Sequence, residues 1–232
     1  MIGVFGGTFD PVHFGHLRPA LEVFQSLGLR EMRMLPARHP PHRETPEIDI
    51  KHRLTMLRAA LGRDTPGLVA DNRELRREGP SYMVDTLQEM REELGDEPLC
   101  LVLGADAFLQ LHTWHRWREL LTLAHVVVTH RPGWSLDDAD VQMVPELSAL
   151  WRECRVDDRE QLAARPCGRV MPVTVSQLDI SATRIRAMVA AGESPRFLVP
   201  DRVWNLIRMQ GMYGFRADAN FDNLITEDDS QE

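Results

Sequence analysis

Long apolar runs are missing from the 232-residue chain; the runs present span a handful of residues, against the ~20 that a membrane-crossing helix needs. No basic stretch precedes the apolar run after Met1, so no secretory signal is expected. Cysteine is scarce: Cys100, Cys154 and Cys167 are odd in number, widely spaced and form no C-x-x-C pair. That excludes a disulfide framework and reads as reduced thiols in a cytoplasmic protein. An excess of basic charge is missing too, and a formal net charge of −8 argues against general binding to nucleic-acid backbones. Part of that charge is local. After Phe215, Asp218, Asp222, Glu227, Asp228, Asp229 and Glu232 outweigh Arg216, so residues 216–232 are expected to be a solvated, disordered tail behind one domain over 1–215. With 43% hydrophobic residues overall, the chain can bury a core without a structural metal.

What is present is an alternation of strand and helix patterns. Ile2 to Phe5 end in Gly6-Gly7, then Leu17, Leu21 and Phe24 follow at helical spacing up to Gly28. Met32 to Leu35 read as a second strand, followed by the proline-rich loop Arg38 to Arg43 and a helix bearing Leu54, Leu57 and Leu61. A short strand at Leu68-Val69 precedes a helix carrying Met83, Leu87, Met90 and Leu94. Leu99 to Leu103 and Val126 to Val128 are apolar on both faces, as in the middle of a parallel sheet. Val170, Met171 and Val173 suggest another strand, and helices are expected over Ser181–Ala191 and Asp201–Met209. The fold class is therefore α/β, a doubly wound parallel sheet with C-terminal helices. Ser135 to Arg165 resists assignment, as an inserted helical segment or a long excursion.

In such sheets ligands bind beyond the carboxyl ends of the strands, which directs attention to the loops after Phe5, Leu35, Leu103 and Val128. The first reads Gly6-Gly7-Thr8-Phe9-Asp10-Pro11-Val12-His13-Phe14-Gly15-His16. It lacks G-x-G-x-x-G and the lysine of a P-loop. It does place two histidines at a helix mouth, where free N–H groups and the helix dipole favour an anion, and both rings are expected to donate to phosphate oxygens. H-x-x-H spacing alone is weak, because His39/His42 and His112/His115 share it. Zinc is a rival for any of the three pairs, although none forms H-E-x-x-H. Ser181, Thr183 and Arg186 suggest a second anion site, or simply a capped helix with surface arginines. Trp114 after Thr113 could stack on a flat ring, or else Trp114 or Trp117 anchors the next helix.

Together the loops resemble the nicotinate-nucleotide adenylyltransferase family. The resemblance rests, in order, on the glycine–histidine loop, Pro40-Pro41-His42-Arg43, Pro80-Ser81-Tyr82, Leu103-Gly104 with Asp106, Thr113-Trp114, Arg131-Pro132-Gly133 and Ile180-Ser181-Ala182-Thr183 with Ile185-Arg186. It implies a Rossmann-like sheet of the nucleotidyltransferase type. It also implies an ATP site of Gly6, Gly7, Thr8, Phe9, His13, His16, Asp106, Ile180, Ser181, Thr183 and Arg186, with His13, His16 and Arg186 catalytic. His16 would stabilise the α-phosphate, Ser181, Thr183 and Arg186 the outer phosphates, and Asp106 a ribose hydroxyl. Nicotinate mononucleotide would meet His42, Arg43, Met83, Trp114, His115 and Arg131. Trp114 would stack on the pyridine ring, the Met83 and His115 amides would receive the carboxylate, and Arg131 would lie near the mononucleotide phosphate. The family usually has threonine where this chain has Met83.

The implied chemistry is direct attack by the mononucleotide 5′-phosphate on the ATP α-phosphorus, with pyrophosphate leaving and no covalent intermediate. Mg²⁺ is expected on the substrate phosphates rather than in a protein cage. Alternatives are the same reaction on nicotinamide mononucleotide or another phosphorylated acceptor, or a nucleotide-binding regulator without activity. The resemblance also allows a homo-oligomer.

Overall fold

The computed structural model describes residues 1–40, 45–62, 65, 67–130, 143–176 and 178–216. The acidic tail beyond Arg216, and His42, Arg43 and Arg131, lie outside the described residues. Strands β1 (Ile2–Gly7), β2 (Glu31–Pro36), β3 (Leu68–Ala70), β4 (Leu99–Gly104), β5 (His125–His130) and β6 (Val170–Thr174) form one sheet in the order β3-β2-β1-β4-β5-β6. Every pairing is parallel. The chain winds outward from β1 to β3 and then restarts on the other side with β4. The order therefore reverses between β1 and β4, which puts the loops that leave these two strands beside the switch point.

Period-2 alternation explains why the central strands are apolar throughout. In β4, Cys100 and Val102 enter one buried cluster while Leu99, Leu101 and Leu103 enter the other. β5 divides Val127 from Val126 and Val128 in the same way. The first cluster is closed by helices Phe14–Leu27, Ile50–Leu61, Ala182–Ala190 and Asp201–Met209 through Val23, Leu57, Ile185 and Val203. The second is closed by helices Met83–Leu94 and Pro145–Cys154 through Leu87, Leu147 and Trp151. Layers on both faces confirm the doubly wound reading.

The described part of the unassigned stretch, residues 143–165, divides between the layers: Leu147 and Trp151 join the second cluster, Val156 and Leu162 the first. Pro145 starts the helix Pro145–Cys154 where its missing N–H costs nothing. Trp151, 2% exposed, packs edge-on against Phe108 with ring centroids 6.0 Å apart. A short helix, Glu160–Ala163, then leads to β6. Between β4 and β5 the chain uses short helical turns, among them Ala105–Leu109 and Leu111–Thr113, instead of one helix. These turns carry Asp106 and Trp114 to the carboxyl end of the sheet. Trp117 is 8% exposed, so the anchoring role belongs to that residue.

Candidate active site

The first loop begins where β1 ends at Gly7. Phe9 has a left-handed φ of 49° and is 1% exposed. Its ring meets His16 edge-on at 5.1 Å, so it supports the histidine from below. Of the expected ATP contacts, Phe9 can offer only its backbone. Helix Phe14–Leu27 starts directly after His13, which takes the extended conformation of an N-cap. The His13 amide donates to Nδ1 of His16 at 3.3 Å, and the two rings stack with centroids 3.7 Å apart. With Nδ1 accepting, the ring proton of His16 sits on Nε2.

His13 is more enclosed than His16. It is 4% exposed, and burial alone pushes its pKa down to about 4, so it is neutral near pH 7 and donates from one nitrogen only. Its Nδ1 is buried without a partner among the described residues. Gly15 explains the spacing of the motif: a Cβ there would fall 2.9 Å from His13 Nδ1 and 3.2 Å from the Ile180 carbonyl. A glycine between the histidines thus lets the His13 ring lie back on the helix. It also lets the chain before Ser181 approach.

That approach brings the second segment to the first. Ser181 is the N-cap of helix Ala182–Ala190, its hydroxyl accepting the Arg184 amide at 3.2 Å. The capped-helix reading is therefore correct for this side chain, and Thr183 stays exposed beside it. Arg186 is already engaged: Nη1 donates to the Asp10 carbonyl at 2.9 Å, and Nε pairs with the Glu47 carboxylate. Two of its five donors are used, which leaves the rest of the fork for an anion.

The residues that hold this arrangement were not singled out by sequence reasoning. Asp10, 2% exposed, accepts the Tyr213 hydroxyl at 2.7 Å and the Glu47 amide at 2.8 Å. Arg53, 1% exposed, donates to the carbonyls of Thr8 at 2.6 Å, Ala37 at 2.8 Å and Ile48 at 3.0 Å. A fully buried arginine that bonds to carbonyls ties three chain segments together, and breaking it would strand a charge. Arg53 sits two residues past Lys51 in a helix that otherwise reads as amphipathic, so only its position between leucine-bearing turns hinted at burial.

The other half of the site lies across β1. Met83 opens helix Met83–Leu94, and its Cε lies 2.8 Å from where a Cβ on Gly6 would fall. The Tyr82 and His115 rings stack at 4.2 Å, and Arg116 pairs with Asp85 at 3.5 Å. These contacts bring the Met83 and His115 amides into one neighbourhood. Met83, as the first helical residue, has no intrahelical acceptor for its N–H. Ser81 accepts the amides of Arg38 at 2.9 Å and His39 at 3.1 Å, tying this helix start to the chain that leads into the proline-rich loop. Trp114 is half-buried against the second core cluster, and Asp106 is exposed at the start of helix Ala105–Leu109. His112 points Nδ1 at the Leu109 carbonyl, 3.1 Å away, so it does not converge with His115. No group of three metal-ligand side chains gathers among the described residues. A cavity of about 460 Å³ lies between helix Phe14–Leu27 and the edge strand β6, away from these loops. Convergence of donors, not cavity size, marks the site.

A sheet of this winding, with H-x-G-H at its switch point answered by a Ser-x-Thr-x-x-Arg helix, defines an α/β nucleotidyltransferase. The cytidylyltransferase-like family model matches residues 4–188. A relative from Methylococcus capsulatus named probable nicotinate-nucleotide adenylyltransferase is 52% identical over 92% of this chain and 99% of its own. One of the same name from Aeromonas hydrophila is 47% identical over 91% of this chain and 96% of its own. The solved structure of Plasmodium falciparum nicotinic acid mononucleotide adenylyltransferase complexed with NaAD superposes with a TM-score of 0.69 at 14% identity, covering 94% of this chain and 98% of that one, which speaks for the fold. The chain belongs to the cytidylyltransferase-like family and, within it, to the nicotinate-nucleotide adenylyltransferases. No helix among the described residues is long and apolar enough to cross a membrane.

Proposed function

We propose that the chain transfers the adenylyl group of ATP to nicotinate mononucleotide, giving nicotinate adenine dinucleotide and pyrophosphate. The observation that carries this reading is the Arg186–Asp10 hydrogen bond, 2.9 Å, which joins the histidine loop to the second helix so that anion donors converge from two sides. The substrate is Mg-ATP, its metal held by phosphate oxygens and water, because Mg²⁺ parts reluctantly with its hydration shell.

His16, with its proton on Nε2, faces the α-phosphate and offsets the charge that grows as pyrophosphate leaves. Arg186, Thr183 and the N-terminus of helix Ala182–Ala190 hold the outer phosphates, and Asp106 a ribose hydroxyl. His13 contributes a neutral ring and the backbone turn that aims His16. The acceptor phosphate already bears charged oxygens, so it attacks without a protein base. The chain's part is to align two polyanions. On the acceptor side, the Met83 and His115 amides receive the ring carboxylate and Trp114 covers the pyridine. His42, Arg43 and Arg131 complete that half in this proposal. The free thiols of Cys100, Cys154 and Cys167 support a cytoplasmic setting.

The test is pyrophosphate release from Mg-ATP with nicotinate mononucleotide and with nicotinamide mononucleotide. Two amides that await a carboxylate should disfavour the amide substrate by at least about tenfold in kcat/KM. Equal use of both would discard the acceptor pocket, and no release with either would discard the reaction.

A further inference from the structure

From the hydrogen bonds around Asp10 we infer that Tyr213 is a positioning residue for the ATP half of the site, acting through Asp10 on Arg186. Tyr213 lies beyond residue 188, where the family match ends. It sits in the turn Met212–Gly214 with a left-handed φ of 56°, a conformation that costs a non-glycine residue free energy and persists only where its surroundings demand it. The ring is 6% exposed, and its hydroxyl donates to Asp10 Oδ1 across 203 residues of sequence. Burial and the Asp10 carboxylate both raise the phenol pKa, so the hydroxyl keeps its proton and remains a donor.

Asp10 is then held at three atoms. Oδ1 accepts Tyr213, Oδ2 accepts the Glu47 amide, and the carbonyl accepts Arg186 Nη1. Glu47, whose amide is fixed by Asp10, returns its carboxylate to Arg186 Nε. The guanidinium is thus braced on two edges, by the Asp10 carbonyl directly and by Glu47, whose amide the Asp10 carboxylate holds. Removing the Tyr213 hydroxyl leaves Oδ1 buried and unpaired, and the carboxylate then has reason to turn. The Glu47 amide then loses its fixed partner, and the Glu47 carboxylate its aim at Arg186 Nε, while the Asp10 carbonyl keeps Nη1. The first loop and the Arg186 helix would keep their folds and the carbonyl contact, but the guanidinium would lose its Glu47 brace and its fixed orientation.

This inference rests on Arg186 holding the ATP phosphates, and a double-mutant cycle separates the two ideas. Tyr213→Phe, Arg186→Ala and the double variant would be assayed in the full chain with Mg-ATP and nicotinate mononucleotide. Tyr213→Phe should raise KM for ATP by roughly three- to tenfold, the scale of one hydrogen bond, with KM for the mononucleotide moving less than about twofold. In the Arg186→Ala background the same change should add nothing further. Equal rises in both KM values, or additive losses, would overturn the role given to Tyr213. If Arg186→Ala leaves KM for ATP unchanged, the phosphate-binding reading of that helix fails instead. Should Tyr213→Phe not fold, amide exchange in the unaltered chain decides: Mg-ATP should slow exchange at Glu47 and across 212–215, and unchanged exchange there would overturn the inference.

Discussion

The two halves of the site are built differently. On the proposed ATP side the groups are rooted in buried polar structure: His13, Asp10 and Arg53 are 4%, 2% and 1% exposed, and each carbonyl of the Thr8–Asp10 turn that accepts an arginine does so from a different helix. On the proposed acceptor side the contacts are side chains stacked at the surface, with His115 exposed and Tyr82 and Trp114 half-buried. Phosphoryl transfer rewards rigid alignment of a triphosphate, which fits a half built as part of the core if it holds ATP as proposed. Recognition of the proposed acceptor would need only a few donors and a flat surface, and surface positions can change without disturbing the sheet.

The sharpest way to break the contrast is Gly15→Ala. The added methyl would fall 2.9 Å from His13 Nδ1 and 3.2 Å from the Ile180 carbonyl, a rigid neighbour. The histidine pair must shift, and kcat should fall by about 100-fold or more while circular dichroism stays native. Wild-type turnover in Gly15→Ala would show that the ATP half is less rigid than its packing implies.

A second test uses acid. The pKa of His13 is lowered from 6.5 to about 4 by burial, so the unfolded chain binds a proton there before the folded chain does. Stability from this group is complete above about pH 6.5, is lost as pH falls toward about 4, and amounts to at most ~3 kcal/mol. Denaturant unfolding of His13→Asn should show a shallower loss than wild type in that window. Parallel pH profiles would mean that His13 is solvated in the folded protein.

The smallest effect is expected on the looser half. Met83→Thr keeps the amide that is proposed to bind the carboxylate and withdraws the Cε that crowds Gly6. KM for nicotinate mononucleotide should change less than about threefold, and stability by under about 1 kcal/mol. A larger change in KM would assign the Met83 side chain, not its backbone, to the acceptor.

Much of this was legible in the chain. The apolar runs Leu99–Leu103 and Val126–Val128 announced central parallel strands, because a strand covered on both faces has no polar side to show. Gly28 and Ser181 marked helix ends that the structure places one residue outside each helix. The stretch from Ser135 to Arg165 was not legible. Its tryptophan-bearing helix is anchored by Phe108, a partner no local pattern names. The H-x-x-H spacing was equally blind, since only one of its three occurrences brings two rings together in a stack at a helix mouth among the described residues.

The sequence alone determined the alternation of elements, the glycine–histidine loop between strand and helix and the family to which its motifs point, since each motif is read from residues within one turn or strand of each other. Tertiary structure alone decided that Arg53 is buried, that Arg186 is braced by Asp10 and Glu47, and that Tyr213 reaches back 203 residues to Asp10. Each of these is a polar group taken out of water, and which partner satisfies it follows from how the helices close over the sheet, not from what stands beside it in the chain.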